Sequence, residues 1–202
     1  MPKLHVCSLS RLEETVERTG ARHVVTLLSD ANGIIRPNSV SEDNHLRLLA
    51  SDITEPLDGY ILPGTAHVEK LIRFVKEWDR MTPLVIHCWA GISRSTAAAY
   101  IAACALAPER DEAAIADALR AASPSATPNP LFVAIADRML DRDGRMVAAI
   151  ARIGRPVACI TNGQEVPEDV HSLSGGQLVD FLLGTLPGPF EAASPLSGAG
   201  RC

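Results

Sequence analysis

Apolar and polar residues fall in blocks along this chain, and the period of each block predicts an element. His23–Leu28 (HVVTLL) is a β-branched apolar run closed by Ser29-Asp30 and Asn32-Gly33, which predicts a buried strand. Leu46–Ala50 predicts a second, short strand. From Ala66 to Asp79, Val68, Leu71, Ile72, Val75 and Trp78 recur at helical spacing with charges opposite, the apolar face of an amphipathic helix. Pro83–His87 (PLVIH) predicts a third strand that runs directly into Gly91 and an alanine-rich helix over Ser93–Ala107. Asp111–Ala122 predicts another helix. The turn-rich stretch Ser123–Asn129 (SPSATPN) places Asn129 as N-cap and Pro130 at the first helical position. The helix opened there is expected to reach about Ile153, with Gly144 as its weak point. Near the start, Ser10–Glu13 (SRLE) has the form of a capping box for a short helix that Gly20 stops. Strands alternating with helices predict an α/β fold, a mostly parallel central sheet flanked by helices.

The pattern changes after Gly154. Residues 156–202 hold seven of the 14 glycines, five prolines and no lysine, with one short apolar piece at Leu178–Leu186. The expected organisation is a globular body over 1–155 and a largely irregular tail over 156–202, with at most one short docked helix.

Charge changes the picture less than its total suggests. The 202 residues carry 19 Lys+Arg and 24 Asp+Glu, a net −5 that argues against nucleic acid and against a basic membrane-surface role. Five acids and one base of that balance lie in the tail, so the body, with 18 bases and 19 acids, is nearly neutral. Cys7, Cys88, Cys104, Cys159 and Cys202 are odd in number and not closely spaced, so neither a disulfide framework nor a zinc site is expected. No secretory leader or membrane span is read in the chain, and a reducing cytoplasm is the expected compartment.

Candidate chemistry concentrates in His87-Cys88-Trp89-Ala90-Gly91-Ile92-Ser93-Arg94-Ser95. A cysteine ends a buried strand, where ligands bind in open α/β sheets, and an arginine follows six positions later at a helix start. Five intervening residues can curl so that backbone N–H groups converge over a helix N-terminus, a ready-made oxyanion nest. Gly91 supplies the permissive backbone such a loop needs. Arg94 matches a phosphate with two parallel N–H groups. The same positive field acts on Cys88. A free thiol titrates near ~8.5, and helix N-termini and cations lower this to roughly 3.5–7.5, enough to make a thiolate nucleophile near pH 7.

His87–Ser95 resembles the H-C-x5-R-[S/T] signature of the cysteine-dependent protein tyrosine phosphatase superfamily, and the run AGISRS looks most like its dual-specificity branch. The likeness extends over about residues 20–153, because SATPN is similar to the S-x-x-P-N segment of that branch. The resemblance implies a phosphatase fold and no metal or other cofactor. It implies Cys88 as the nucleophile that forms a phosphocysteine, with the amides of Trp89, Ala90, Gly91, Ile92, Ser93 and Arg94 and the Arg94 guanidinium on the phosphate oxygens. Ser95 would assist the departing thiolate, and His87 and Asn129 would support the loop. A separate aspartic acid would protonate the leaving oxygen and then activate water. Asp52 and Asp58 both fit. Asp52 follows the strand in LLASD and is preferred, because Asp58 sits in a Pro-Leu-Asp-Gly turn that explains it without catalysis.

Other residues receive plainer readings. Cys7, Cys104, Cys159 and Cys202 read as ordinary buried or spare thiols, one of which could in principle resolve Cys88. His45 and His67 read as structural, Arg36 and Arg47 as solvated, and Arg138–Arg145 as a wet helical face of alternating charge. The Trp89 ring either lines the pocket mouth or packs. The expected function is a phosphomonoester hydrolase acting on a phosphorylated protein or small phosphomonoester, with phosphotyrosine first and phosphoserine/threonine second. Nucleic acid and membrane are not expected partners. The uncharged loop interior does not favour a polyanionic phosphoinositide. An inactive phosphate-binding module and a rhodanese-like sulfurtransferase are the alternatives.

Overall fold

The computed structural model describes residues 3–34 and 36–153, and the backbone of two short strands beyond them. The chain divides into two compact units, Met1–Gly154 and Arg155–Cys202. In the first, β1 (Leu4–Ser8) leads through a 3-10 turn at Leu9–Arg11 into α1 (Leu12–Thr19). Next come β2 (His23–Leu28), β3 (His45–Leu49), α2 (Thr65–Glu77), β4 (Leu84–Cys88), α3 (Arg94–Leu106), α4 (Glu112–Ala122), α5 (Pro130–Met139) and α6 (Arg145–Arg152). In the second unit, β5 (Ile160–Thr161) and β6 (Val170–His171) form an antiparallel pair. The expected docked helix of the tail lies outside the described residues.

The four strands of the first unit form one parallel sheet in the order β1-β4-β2-β3. β2 and β4 are the inner strands, and every residue of both is buried, which is why they read as unbroken apolar runs. Alternation then divides the side chains between two cores. Val25, Leu27, Leu84, Ile86 and Cys88 face the larger layer with α2, α3 and α5. Val24 and Val85 face α1 with Leu12 and Val16. Helix α3 is buried nearly all round, and its alanines let it lie close against the sheet beneath its neighbours.

Three sequence expectations are corrected. β1 is absent from them because LHVCS is short and only half-buried at the sheet edge, so neither alternation nor a continuous apolar run marks it. Ser10 does not cap a helix: it lies inside the 3-10 turn, its hydroxyl 3.0 Å from that of Ser8, and α1 begins at Leu12 without a side-chain cap. The last long helix is two. Asp141, Asp143 and Gly144 take positive φ, and the Asp137 carboxylate accepts from the N–H groups of Gly144, Met146 and Val147, giving α6 its own N-terminus. Arg138–Arg145 is therefore no continuous wet face. Arg142 is 8 % exposed and donates to Glu112 Oε1 at 2.9 Å and to the Pro108 and Cys104 carbonyls.

Candidate active site

The Cys88–Arg94 loop sits where β4 ends between the ends of β1 and β2, the crevice that a parallel sheet offers to ligands. It is held from two sides. The Leu9 N–H donates to the Trp89 carbonyl at 3.1 Å, and Thr127 N–H donates to the Ile92 carbonyl at 2.9 Å. Gly91 has φ +76°, and a Cβ there would lie 2.7 Å from the Cys7 carbonyl carbon and 2.8 Å from the Ser8 nitrogen. The loop thus needs glycine both for its left-handed backbone and for its close approach to β1.

The Cys88 sulfur lies 3.1 Å from the Ser95 hydroxyl and accepts from the Gly91 N–H at 3.3 Å. Burial is the largest influence on this thiol and raises its pKa. Hydrogen bonds from the Ser95 hydroxyl and from the Ser95, Gly91 and Ile92 amides act the other way and outweigh it, so the net shift is downward. Cys104, buried on α3, is pushed up to about 12 by burial, which the Tyr100 hydroxyl and the Arg142 charge only partly oppose. Cys7 pairs in register with His87 while Cys88 pairs with Ser8, so the two thiols leave the sheet on opposite faces. Cys7 is accordingly not placed to resolve Cys88.

Arg94 is 7 % exposed. Its Nη1 donates to the Ala50 carbonyl at 2.9 Å and to the Ser29 hydroxyl at 3.1 Å, whereas Nε is buried without a partner. The ends of β2 and β3 thereby fix the guanidinium through Nη1 and leave the Nε N–H unspent among the described residues. Ser29 and the Ala50 carbonyl were missed in the sequence, where only the strand-end rule could have flagged them.

Asp52 lies beside this loop. Its Oδ1 accepts from the Ser93 hydroxyl at 2.7 Å and from Asn129 Nδ2 at 2.8 Å. Asn129 has two tasks. Its Oδ1 caps α5 by accepting from Leu131 N and Phe132 N, both at 3.1 Å, while Nδ2 ties down the loop after β3 at Asp52 and at the Ile53 carbonyl. Asp58 sits in the turn closed by Tyr60 N–H on the Leu57 carbonyl, with Gly59 at φ +80°. The structure thus brings Asp52, and not Asp58, into hydrogen bonds with the loop and its support.

Behind the loop, the Thr26 hydroxyl lies 2.7 Å from His87 Nε2 and 2.7 Å from His45 Nε2, a buried chain across β4, β2 and β3. Burial, the largest cause for each ring, holds both histidines down at about 4. Thr26 was not anticipated; an inward-facing hydroxyl in a strand gives no sequence signal. His67 Nδ1 accepts from the Gly64 N–H at the start of α2, and Arg36 and Arg47 pair with Glu42. Trp89 does not pack: it is 68 % exposed and lines a groove of about 360 Å³ with Leu28, Ser29, Asp30, Asn32, Gly33 and Arg94.

The profile of the protein-tyrosine phosphatase family matches residues 59–124, which include the whole loop. Among solved structures, human DUSP28 is similar at TM-score 0.55 and 22 % identity, covering 70 % of this chain and 94 % of its own. The human tyrosine phosphatase-like serine/threonine/tyrosine-interacting protein is similar at TM-score 0.56 and 18 % identity, covering 71 % and 94 %. PTPMT1 in complex with PI(5)P is similar at 0.52 and 16 %, covering 73 % and 91 %. No curated protein matches by sequence. The family match thus covers a third of the chain, the loop included, and over most of its length the chain shares the fold of human DUSP28.

Proposed function

We propose that the protein is a phosphomonoester hydrolase that works through a phosphocysteine on Cys88. The observation that carries this reading is the gathering of three groups at one loop. Cys88 Sγ is hydrogen-bonded within the loop, the Arg94 Nε edge is unspent, and Asp52 is anchored to Ser93 and Asn129 beside them. The Cys88 thiolate attacks phosphorus, an S–P bond forms and the ester P–O bond breaks. Asp52 gives its proton to the leaving oxygen. Water then attacks phosphorus, Asp52 takes the water proton, and the S–P bond breaks to release inorganic phosphate and regenerate the thiolate, which Ser95 stabilises. Arg94 and the amides of Trp89 to Arg94 hold the transferring oxygens throughout.

The substrate we favour is a phosphoprotein, phosphotyrosine first and phosphoserine/threonine second. A phosphoinositide, the ligand of the PTPMT1 structure, is less suited to a loop whose interior residues Trp89–Ser93 carry no charge. Among the described residues no helix is long and apolar enough to cross a membrane, and Cys7, Cys88 and Cys104 are free thiols, which agrees with a cytoplasmic site of action. The inactive-module reading requires a missing or displaced acid, and the anchoring of Asp52 supports the enzyme instead. The test is hydrolysis of a small aryl phosphate by wild type, Cys88→Ser, Asp52→Asn and Asp58→Asn. Cys88→Ser should abolish turnover, and Asp52→Asn should reduce it more than Asp58→Asn. Activity surviving in Cys88→Ser refutes the mechanism, and the reverse order of the aspartates refutes the acid assignment.

A further inference from the structure

One groove beside the loop carries groups, the Trp89 ring and the Asp30 carboxylate, that the chemistry just described does not use. It is lined by Trp89, by Asp30 and Asn32 on the loop after β2, and by Arg94. The Asp30 carboxylate is exposed, and its Oδ1 accepts from the Asn32 N–H at 2.8 Å, which fixes the turn and leaves Oδ2 without a partner among the described residues. Trp89 is equally unspent. Its backbone carbonyl is bound by Leu9, so the loop is anchored while the ring stands in solvent. An indole face and a carboxylate lining one groove are two attractors for a cation.

Charge around the site has the same sense. The segments that follow β2 and β3, residues 29–44 and 50–64, carry Asp30, Glu42, Asp43, Asp52, Glu55 and Asp58 against one base, Arg36, which is paired with Glu42. Arg94 is the one base lining the groove, and the phosphate takes its free edge. The other side of the loop differs: Arg11 and Arg18 line a separate pocket with Ala90 and Gly91. Charge beside the loop is thus mixed toward β1, where Glu14 pairs with Arg11, and acidic and aromatic toward β2 and β3.

We propose that the groove formed by Trp89, Asp30 and Asn32 is a substrate subsite for a cationic side chain, so that the preferred substrates are phosphopeptides with Lys or Arg next to the phosphorylated residue. The cation lies over the indole and against Asp30 Oδ2 while the phosphate occupies the loop. This deepens the phosphatase reading and rests on it. Both contacts are partly solvated. A cation–π contact at an exposed site is worth about 0.5–1 kcal/mol and an exposed ion pair about 0.2–1 kcal/mol, together roughly a 3- to 30-fold preference.

The test is kcat/KM on a phosphotyrosine peptide series in which one flanking position carries Lys, Arg, norleucine, Ala or Glu, scanned over the two residues on each side. Hydrolysis of a small aryl phosphate serves as the reference. At one position Lys and Arg should exceed norleucine and Ala by about 3- to 30-fold and exceed Glu by more, with the advantage shrinking as salt rises. Asp30→Asn should reduce the Lys preference several-fold and leave aryl phosphate turnover unchanged. Trp89→Phe should retain more of the preference than Trp89→Ala. Norleucine equalling Lys would make the groove merely apolar, and a flat series would make it unused; either result overturns the subsite while leaving the phosphatase reading intact. No hydrolysis of any substrate, aryl phosphate included, overturns the phosphatase reading itself.

Discussion

Asn129 joins two contributions that substitution can separate, the capping of a helix and the holding of Asp52, the proposed acid. Its Oδ1 caps α5, and its Nδ2 holds Asp52 at 2.8 Å and the Ile53 carbonyl at 3.3 Å. Asn129→Ala removes both. Loss of the cap costs about 1 kcal/mol. The bond to a carboxylate would be worth about 1.5–3 kcal/mol if buried, and solvent at the exposed Asp52 reduces that to roughly 1–2 kcal/mol. Asn129→Ala should therefore lower stability by about 2–3 kcal/mol. Asn129→Ser keeps an oxygen that can accept from the first turn of α5 but is too short to reach Asp52, so its cost should be about 1–2 kcal/mol. Both variants release one of the two anchors on Asp52 Oδ1. The catalytic consequence should depend on the leaving group, because only a poor leaving group needs the proton. With phenyl phosphate, kcat should fall about 5- to 30-fold in both, the fold-change that ~1–2 kcal/mol supplies. With a strongly activated aryl phosphate it should fall little. The assay is kcat across an aryl phosphate series, beside urea unfolding of each protein. A loss of the same size for every leaving group, in proportion to stability, would refute the claim that Asn129 positions the acid.

Three further outcomes follow from the packing. Gly91→Ala should destabilise the fold and abolish phosphate binding, because the added methyl meets β1 backbone at 2.7–2.9 Å in a left-handed conformation; wild-type affinity for orthovanadate in this variant would contradict the close approach. His87 and His45 are held at about 4 in the fold and titrate near ~6.5 when unfolded, so the unfolded chain binds more protons between those values. Stability should fall as pH drops from about 6.5 to 4, by about 3 kcal/mol for each independent ring and by less than twice that for the coupled pair, and a flat urea midpoint over this range would contradict it. Arg142→Met leaves Glu112 without its buried partner, Arg145 reaching it only from a half-exposed position. It should cost about 3–5 kcal/mol while aryl phosphate turnover persists below the melting point, and loss of turnover without loss of stability would tie this pair to the site instead.

What the sequence made legible depended on whether each signal was local. β2 and β4 are fully buried inner strands, so their unbroken apolar runs marked them, and the loop that follows β4 carries its spacing within nine residues. Asp52 could be preferred over Asp58 because a turn explains one and a strand end presents the other. What escaped was non-local. The half-buried edge strand β1 has no periodic pattern, yet its backbone forms the wall against which Gly91 packs. The break between α5 and α6 turns on Asp137 capping a helix nine residues ahead, a contact that composition cannot express. The charged run Arg138–Arg145 read as solvated because its partner, Glu112, lies thirty residues earlier in the chain. Thr26 lies in β2, Ser29 follows β2 and Ala50 follows β3 on the far side of β2 from β4, and pairing order is what brings them to His87 and Arg94.

The most direct measurement is to trap the covalent intermediate. Wild type, Cys88→Ser and Asp52→Asn would be mixed with excess aryl phosphate, quenched within one turnover and digested for mass spectrometry. The account predicts a phosphoryl group on Cys88 in the wild-type and Asp52→Asn proteins, with a longer-lived adduct in Asp52→Asn because water activation is slowed, and no thiophosphate ester in Cys88→Ser. Turnover without any phosphoryl adduct on Cys88, or an adduct on another residue, would contradict it.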